Sequence, residues 1–259
     1  MTDSLLALLN QIPDFNEYCG TGVLIFARIL AFSAIAPVFN RKDIPMIVKI
    51  SFSLLLTLCF IGLVDDVVPP KNASFTVCIV LNVVFGSLLG FVARTIFQTI
   101  ESAGEIMNMQ MGLQSAVMFD PNAKSQVSII GKLFMYLSTV IYIKIGGLYW
   151  LFGAFKRGFD LFPLYATTIP LDKFVNLDQM VVLTGNVLFI GLQIASPVLL
   201  VTLCQDVILG IISKTAPQIN VFQLSFVFKP VVGVAILIII LPLLINSITD
   251  YFVYYQKIF

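Results

Sequence analysis

The chain contains no histidine, and only 11% of its 259 residues are charged. Histidine is the commonest general base and the commonest ligand of catalytic metals. Its absence removes the most frequent routes to acid–base and metal chemistry. Soluble domains carry roughly 25% charged residues, and a water-facing surface cannot be assembled from 11%. Lys and Arg number 15 against 14 Asp and Glu, a net charge of +1. They form no basic run, so no nucleic acid partner is implied. The four cysteines, Cys19, Cys59, Cys78 and Cys204, form no CxxC pair. They read as small buried hydrophobes, with no disulfide and no metal site expected. The sequence holds no GxxxxGK[ST] nucleotide loop and no HExxH, so neither an enzyme nor a bound cofactor is expected. The opening MTDSLLALLNQIPDFNE lacks a basic region and carries Asp3, Asp14 and Glu17. It makes a poor signal peptide, and the first apolar segment is expected to stay in the mature protein.

What is abundant is apolar side chain: 59% of residues are hydrophobic, and the mean hydropathy is +0.99. The solvent for most of the chain is then lipid or other apolar helices. A membrane-crossing helix needs about 20 apolar residues, and six such segments stand out. They cover about Gly22–Phe39, Pro45–Val64, Phe75–Met107, Val127–Phe152, Met180–Ser213 and Val231–Tyr255. The expected class is an all-α membrane protein. Gly146-Gly147 is a weak point in the fourth segment, and Pro197 and Pro242 interrupt the fifth and sixth. Two stretches read as other than spans. Gly153–Gln179 is aromatic and mixed in charge, a surface-lying helix plus loop, and KTAPQINVFQLSFVFKP is irregular.

Ionisable groups are costly in lipid and usually face protein or water. Arg28, Arg94, Glu101, Glu105 and Asp206 all lie in or beside apolar helix. The third segment is too long for one span, and its second half is amphipathic. At ~100° per residue, Arg94, Gln98, Glu101, Glu105 and Asn108 share about 80° of arc. Phe97, Ile100, Ala103 and Met107 take the opposite face. The stripe would line an aqueous path or pair with neighbouring subunits; the alternative is a helix end emerging into solvent. After it comes MQMGLQSAVMFDPNAKSQ, with Gly112, Asp120 and Pro121 as breakers. Met107, Met109, Met111 and Met118 cluster here beside Phe119. Methionine packs against irregular or changing surfaces, so the cluster suits a deformable seal; ordinary core packing is the alternative.

Three stretches carry a resemblance. ARILAFSAIAPVFNRKDIPMIVKI, AGEIMNMQMGLQSAVMFDPNAKSQ and LGIISKTAPQINVFQLSFVFKPVVG occur in that order. Together they resemble the FliR family of type III export-gate subunits. The resemblance covers most of the chain. It implies kinked helices in hairpins rather than six independent spans, with a FliP-like part (1–180) joined to a FliQ-like part (181–259). It implies FliP, FliQ and FlhB as partners, exported flagellar proteins in transit, and the bacterial inner membrane as the site. It places Met107, Met109, Gln110, Met111, Gly112, Leu113, Gln114, Val117, Met118, Phe119 and Asp120 in or near a pore plug. Arg28, Arg94, Gln98, Glu101, Glu105 and Asp206 are then expected to make polar contacts inside the complex. The injectisome paralogues of the SpaR/SctT type tend to have Arg-Gly where this chain has Met111-Gly112, which favours the flagellar branch; the injectisome branch stays open. A small-solute transporter is a third reading, which would call for an internal repeat.

Overall fold

The computed structural model describes residues 15–39, 44–62, 74–114, 128–166 and 177–256. Among the described residues every regular element is a helix: α1 (Phe15–Ile35), α2 (Met46–Ile61), α3 (Phe75–Gln110), α4 (Ile129–Lys144), α5 (Gly147–Leu161), α6 (Leu177–Thr215) and α7 (Val221–Tyr255). The count is seven rather than six because the fourth apolar segment does not run through. It stops at Lys144 and restarts at Gly147, and Gly146 between them has φ +81°. A left-handed residue cannot sit inside a right-handed helix, and glycine adopts it most readily. The helix expected somewhere in the aromatic, mixed-charge stretch is the second half of α5.

Among the described residues three helices are long and apolar enough to cross a membrane: α3, residues Thr184–Thr215 of α6, and α7. Four such spans result if α4 and α5 count as one. The chain is a multi-pass membrane protein. At ~1.5 Å per residue, a helix the length of α3 reaches about 54 Å, well beyond a hydrocarbon core of roughly 30 Å. The surplus is where polar residues can sit.

Two boundaries differ from the sequence reading for local reasons. α1 ends at Ile35 rather than Phe39, since Pro37 biases Ala36 out of helical geometry. α7 begins at Val221, ten residues before the expected Val231, with Pro230 inside it. Asn220 caps that start, its side chain accepting from the Gln223 amide at 3.3 Å. A capped, apolar stretch of this length tolerates the one backbone bond that Pro230 removes. Pro197 is likewise accommodated inside α6. The Gln193 carbonyl, which a proline amide cannot reach, accepts the Ser196 hydroxyl at 2.8 Å.

The chain divides into two compact units. The first comprises 1–94 and 152–180. Its core brings Leu24, Ile25, Ile29 and Phe32 of α1 together with Leu56, Phe60, Phe85, Phe155 and Phe162, all buried. Phe155 sits edge-on to Phe32 at 4.9 Å, and Phe85 stacks on Phe162 at 5.3 Å. α1 and α3 approach closely because Gly86 has no side chain. A Cβ there would overlap the Arg28 carbonyl.

The second unit comprises 95–151 and 181–259. Phe97, Tyr142 and Phe252 form a ring cluster with centroids 5.2–5.3 Å apart. The Tyr251 hydroxyl donates to the Ile96 carbonyl at 3.2 Å. α3 crosses the start of α4 at Gly104, where a Cβ would lie 2.8 Å from Gly131 Cα.

Candidate functional site

The expected plug begins at the end of α3, in the second unit. The helix closes with three turn bonds: Met111 N to Met107 O (2.9 Å), Gly112 N to Met109 O (3.0 Å) and Leu113 N to Asn108 O (3.2 Å). With Gly112 at φ +72°, the last two form a Schellman motif, which satisfies carbonyls that a helix end leaves orphaned. The chain therefore leaves α3 in a direction fixed by backbone bonding. Ser128 caps the start of α4, its side chain accepting from the Gly131 amide at 2.8 Å. The Asn108 side-chain oxygen accepts from the Ile130 amide at 3.4 Å. The two helix ends that bracket the loop are tied to each other by Asn108 and by the Gly104–Gly131 crossing.

The methionines at this end do different things. Met107 and Met111 are fully buried, whereas Met109 is 64% exposed. Met111 lies over Gly233 of α7; a Cβ at Gly233 would come within 2.5 Å of its Cγ. Met107 and Met111 thus pack into the unit, and Met109 alone of these three presents its thioether outward. Gln110, Gly112, Leu113 and Gln114 are half-buried. Val117, Met118, Phe119 and Asp120 lie outside the described residues.

The expected stripe along α3 keeps its two faces. Phe97, Ile100, Ala103 and Met107 are buried. Arg94 and Glu105 are exposed, Gln98 and Glu101 half-buried. Asn108, at the end of the stripe, turns inward to Ile130 and is buried. Asp206 of α6 is ion-paired to Lys229 of α7 at 2.5 Å and accepts from Gln110 Nε2 at 3.5 Å.

Arg28 differs from the others. It was expected to need protein neighbours from a complex, and it has its partners within the first unit. It is fully buried. Nε donates to Asn82 Oδ1 at 2.9 Å, Nη1 to the Gly158 carbonyl at 3.0 Å and Nη2 to the Phe162 carbonyl at 2.8 Å. Phe85 and Phe159 lie against the guanidinium, ring centroids 4.5 and 4.7 Å from its carbon. Its charge is held by carbonyl dipoles at the negative end of α5 and by ring faces. Asn82 completes the clamp, donating to the Cys78 and Leu164 carbonyls at 2.7 and 2.8 Å. Two partners escaped sequence reasoning. Asn82 is an isolated amide in an apolar run, which is a usable signal; the pairing of Lys229 with Asp206 joins two helices and leaves no local trace.

Residues 20–254 match the family described as bacterial export proteins, family 1. Relatives named flagellar biosynthetic protein FliR resemble the chain over most of its length. That of Pectobacterium carotovorum subsp. carotovorum is 29% identical over 221 residues, covering 85% of this chain and 83% of the relative. That of Escherichia coli strain K12 is 25% identical, covering 84% and 82%. That of Aquifex aeolicus strain VF5 is 25% identical over 247 residues, covering 94% of each.

Proposed function

The chain belongs to the bacterial export proteins, family 1, and from that premise we propose that it is a single-copy subunit of a flagellar type III export gate in the bacterial inner membrane. Its partners are FliP and FliQ subunits, with FlhB associated, and unfolded flagellar proteins pass through the assembly. The chain forms part of the entry portal and supplies the plug of the closed pore. Residues 1–180 act as a FliP-like part and 181–259 as a FliQ-like part.

One observation carries the plug reading: the contrast among neighbouring methionines at the end of α3. Met107 and Met111 anchor the helix end in the core, while Met109 between them is exposed. A thioether presented outward from a fixed base suits an apolar constriction, which excludes water and ions by dewetting. The loop brackets are tied at Asn108–Ile130, so a seal there is suspended from one rigid point. Long helices with large apolar side chains facing outward, such as Ile238 and Ile239 of α7 and Leu203 and Val207 of α6, offer surface to lipid or to partner helices. Energy for transport comes from partners, since the chain has no nucleotide loop.

The test is removal of Gly112–Phe119 in cells that make no export substrate, with ion leak as the readout. Leak should rise. A leak equal to that of the intact chain overturns the plug. Flagellar function is favoured over the injectisome branch because the relatives quoted above carry the flagellar name. A small-solute transporter is excluded if the chain purifies stoichiometrically with FliP and FliQ; a stable functional homo-oligomer would restore it.

A further inference from the structure

Besides its own turn bonds, the last turn of α3, and with it Met109, is held by side chains. Two moorings meet there, both within the second unit. The apolar one is Met111, fully buried with its side chain over Gly233 of α7. The polar one lies next to it in sequence: Gln110 Nε2 donates to Asp206 Oδ2 at 3.5 Å, and Asp206 Oδ1 pairs with Lys229 Nζ. Lys229 and Gly233 are four residues apart on α7, so they fall on one helix face. Gln205, beside Asp206, adds a bond of its own across the same helix pair, Nε2 donating to the Phe228 carbonyl at 3.3 Å. The end of α3 is therefore bound to α6 through Asp206 and to α7 through Met111, and the ion pair joins those two helices to each other.

We propose that Asp206 is a positioning residue of the closed gate: paired with Lys229, it holds Gln110 and so steadies the last turn of α3, from which Met109 is presented. This rests on the plug reading for its consequence, though not for its geometry. The carboxylate serves two partners at once, one oxygen each. An amide in its place keeps an acceptor for Gln110 and loses the charge that binds Lys229. The pair is partly accessible, Lys229 at 21% and Asp206 at 42%, so it is a modest interaction that a substrate chain can overcome rather than a permanent staple.

The experiment uses the full chain in the assembled gate, purified with its partners, and compares Asp206→Asn, Lys229→Met and the exchanged pair Asp206→Lys with Lys229→Asp. Amide hydrogen exchange at residues 109–114 reads the mooring directly. It should quicken by about fivefold in each single variant and return toward the intact rate in the exchanged pair, where the Gln110 amide turns so that its Oε1 accepts from the new ammonium. Unchanged exchange in the single variants, or an exchanged pair as fast as they are, overturns the mooring. Ion leak in cells without export substrate reads the consequence and should follow the same order. If removal of Gly112–Phe119 leaks while Asp206→Asn does not, the loop is a plug but Asp206 does not position it, and the proposal falls. If neither leaks, the plug reading itself has failed and takes the functional part of the proposal with it; the exchange data then separate that failure from an error in the geometry.

Discussion

Arg28 Nη2 donates to the carbonyl of Phe162 at 2.8 Å, closing a contact across 134 residues of sequence. With Asn82 and the Gly158 carbonyl, this bond fixes the end of α5 against α1 and α3. A buried charge is costly unless it is hydrogen-bonded. Here all three kinds of guanidinium nitrogen are used, by three separate acceptors.

Replacing Arg28 by Met should therefore destabilise the first unit by roughly 3 kcal/mol or more, since it removes three buried hydrogen bonds and leaves the Asn82 oxygen without its donor. Arg28→Lys keeps the charge but cannot fork to three acceptors, and should fall between. Thermal unfolding of the purified chain in detergent checks the order. Equal stability of the Met variant and the intact protein would contradict the clamp.

Two glycines make opposite predictions. A Cβ at Gly86 overlaps the Arg28 carbonyl, whereas nothing lies within 4 Å of a Cβ at Gly153. Gly86→Ala must push α1 from α3 and should cost about 1–3 kcal/mol. Gly153→Ala, within α5, should be neutral or stabilising by up to about 1 kcal/mol, because alanine favours the helix. The same unfolding measurement serves for both.

Met111 and Met109 separate stability from sealing. Met111→Ala opens a cavity beside Gly233 and should cost about 2–5 kcal/mol. Met109→Ala removes an exposed side chain and should change stability by no more than about 0.5 kcal/mol. On the plug reading Met109→Ala nonetheless raises ion leak in the assembled gate. A variant that is stable and does not leak would remove Met109 from the seal.

Thiol labelling gives an inexpensive check of the fold. Cys19, Cys59 and Cys204 are exposed, and Cys78 is buried. In the isolated chain in detergent the first three should react with a small, membrane-permeant maleimide faster than Cys78, which should react only on unfolding. Rapid native labelling of Cys78 would contradict the packing of α3 beside Ala166, whose carbonyl lies 3.9 Å from the thiol.

How far the sequence could be read depended on the range of each interaction. The amphipathic second half of α3 was legible because its faces repeat with the helix period, and Ile100, Ala103 and Met107 are buried as that period requires. Gly112 was legible as a breaker because a left-handed helix end selects glycine. The early start of α7 was not. Pro230 looks like a stop, and the Asn220 cap that starts the helix is a weak signal beside it. Arg28 was recognised as anomalous, but its partners were sought in other subunits because Asn82, Gly158 and Phe162 lie far away along the chain.

From the sequence alone came the membrane environment, the helical class, the absence of the usual catalytic groups and the position of the methionine-rich turn. These follow from composition and local periodicity, which need no knowledge of which segments meet. Only the folded chain decided that Met107 and Met111 go inward while Met109 does not, that Asp206 takes Lys229, and that Arg28 is satisfied without a carboxylate among the described residues. Each of those depends on helices distant in sequence arriving at one place. A side chain's burial and its hydrogen-bond partners are properties of that meeting, not of the residue.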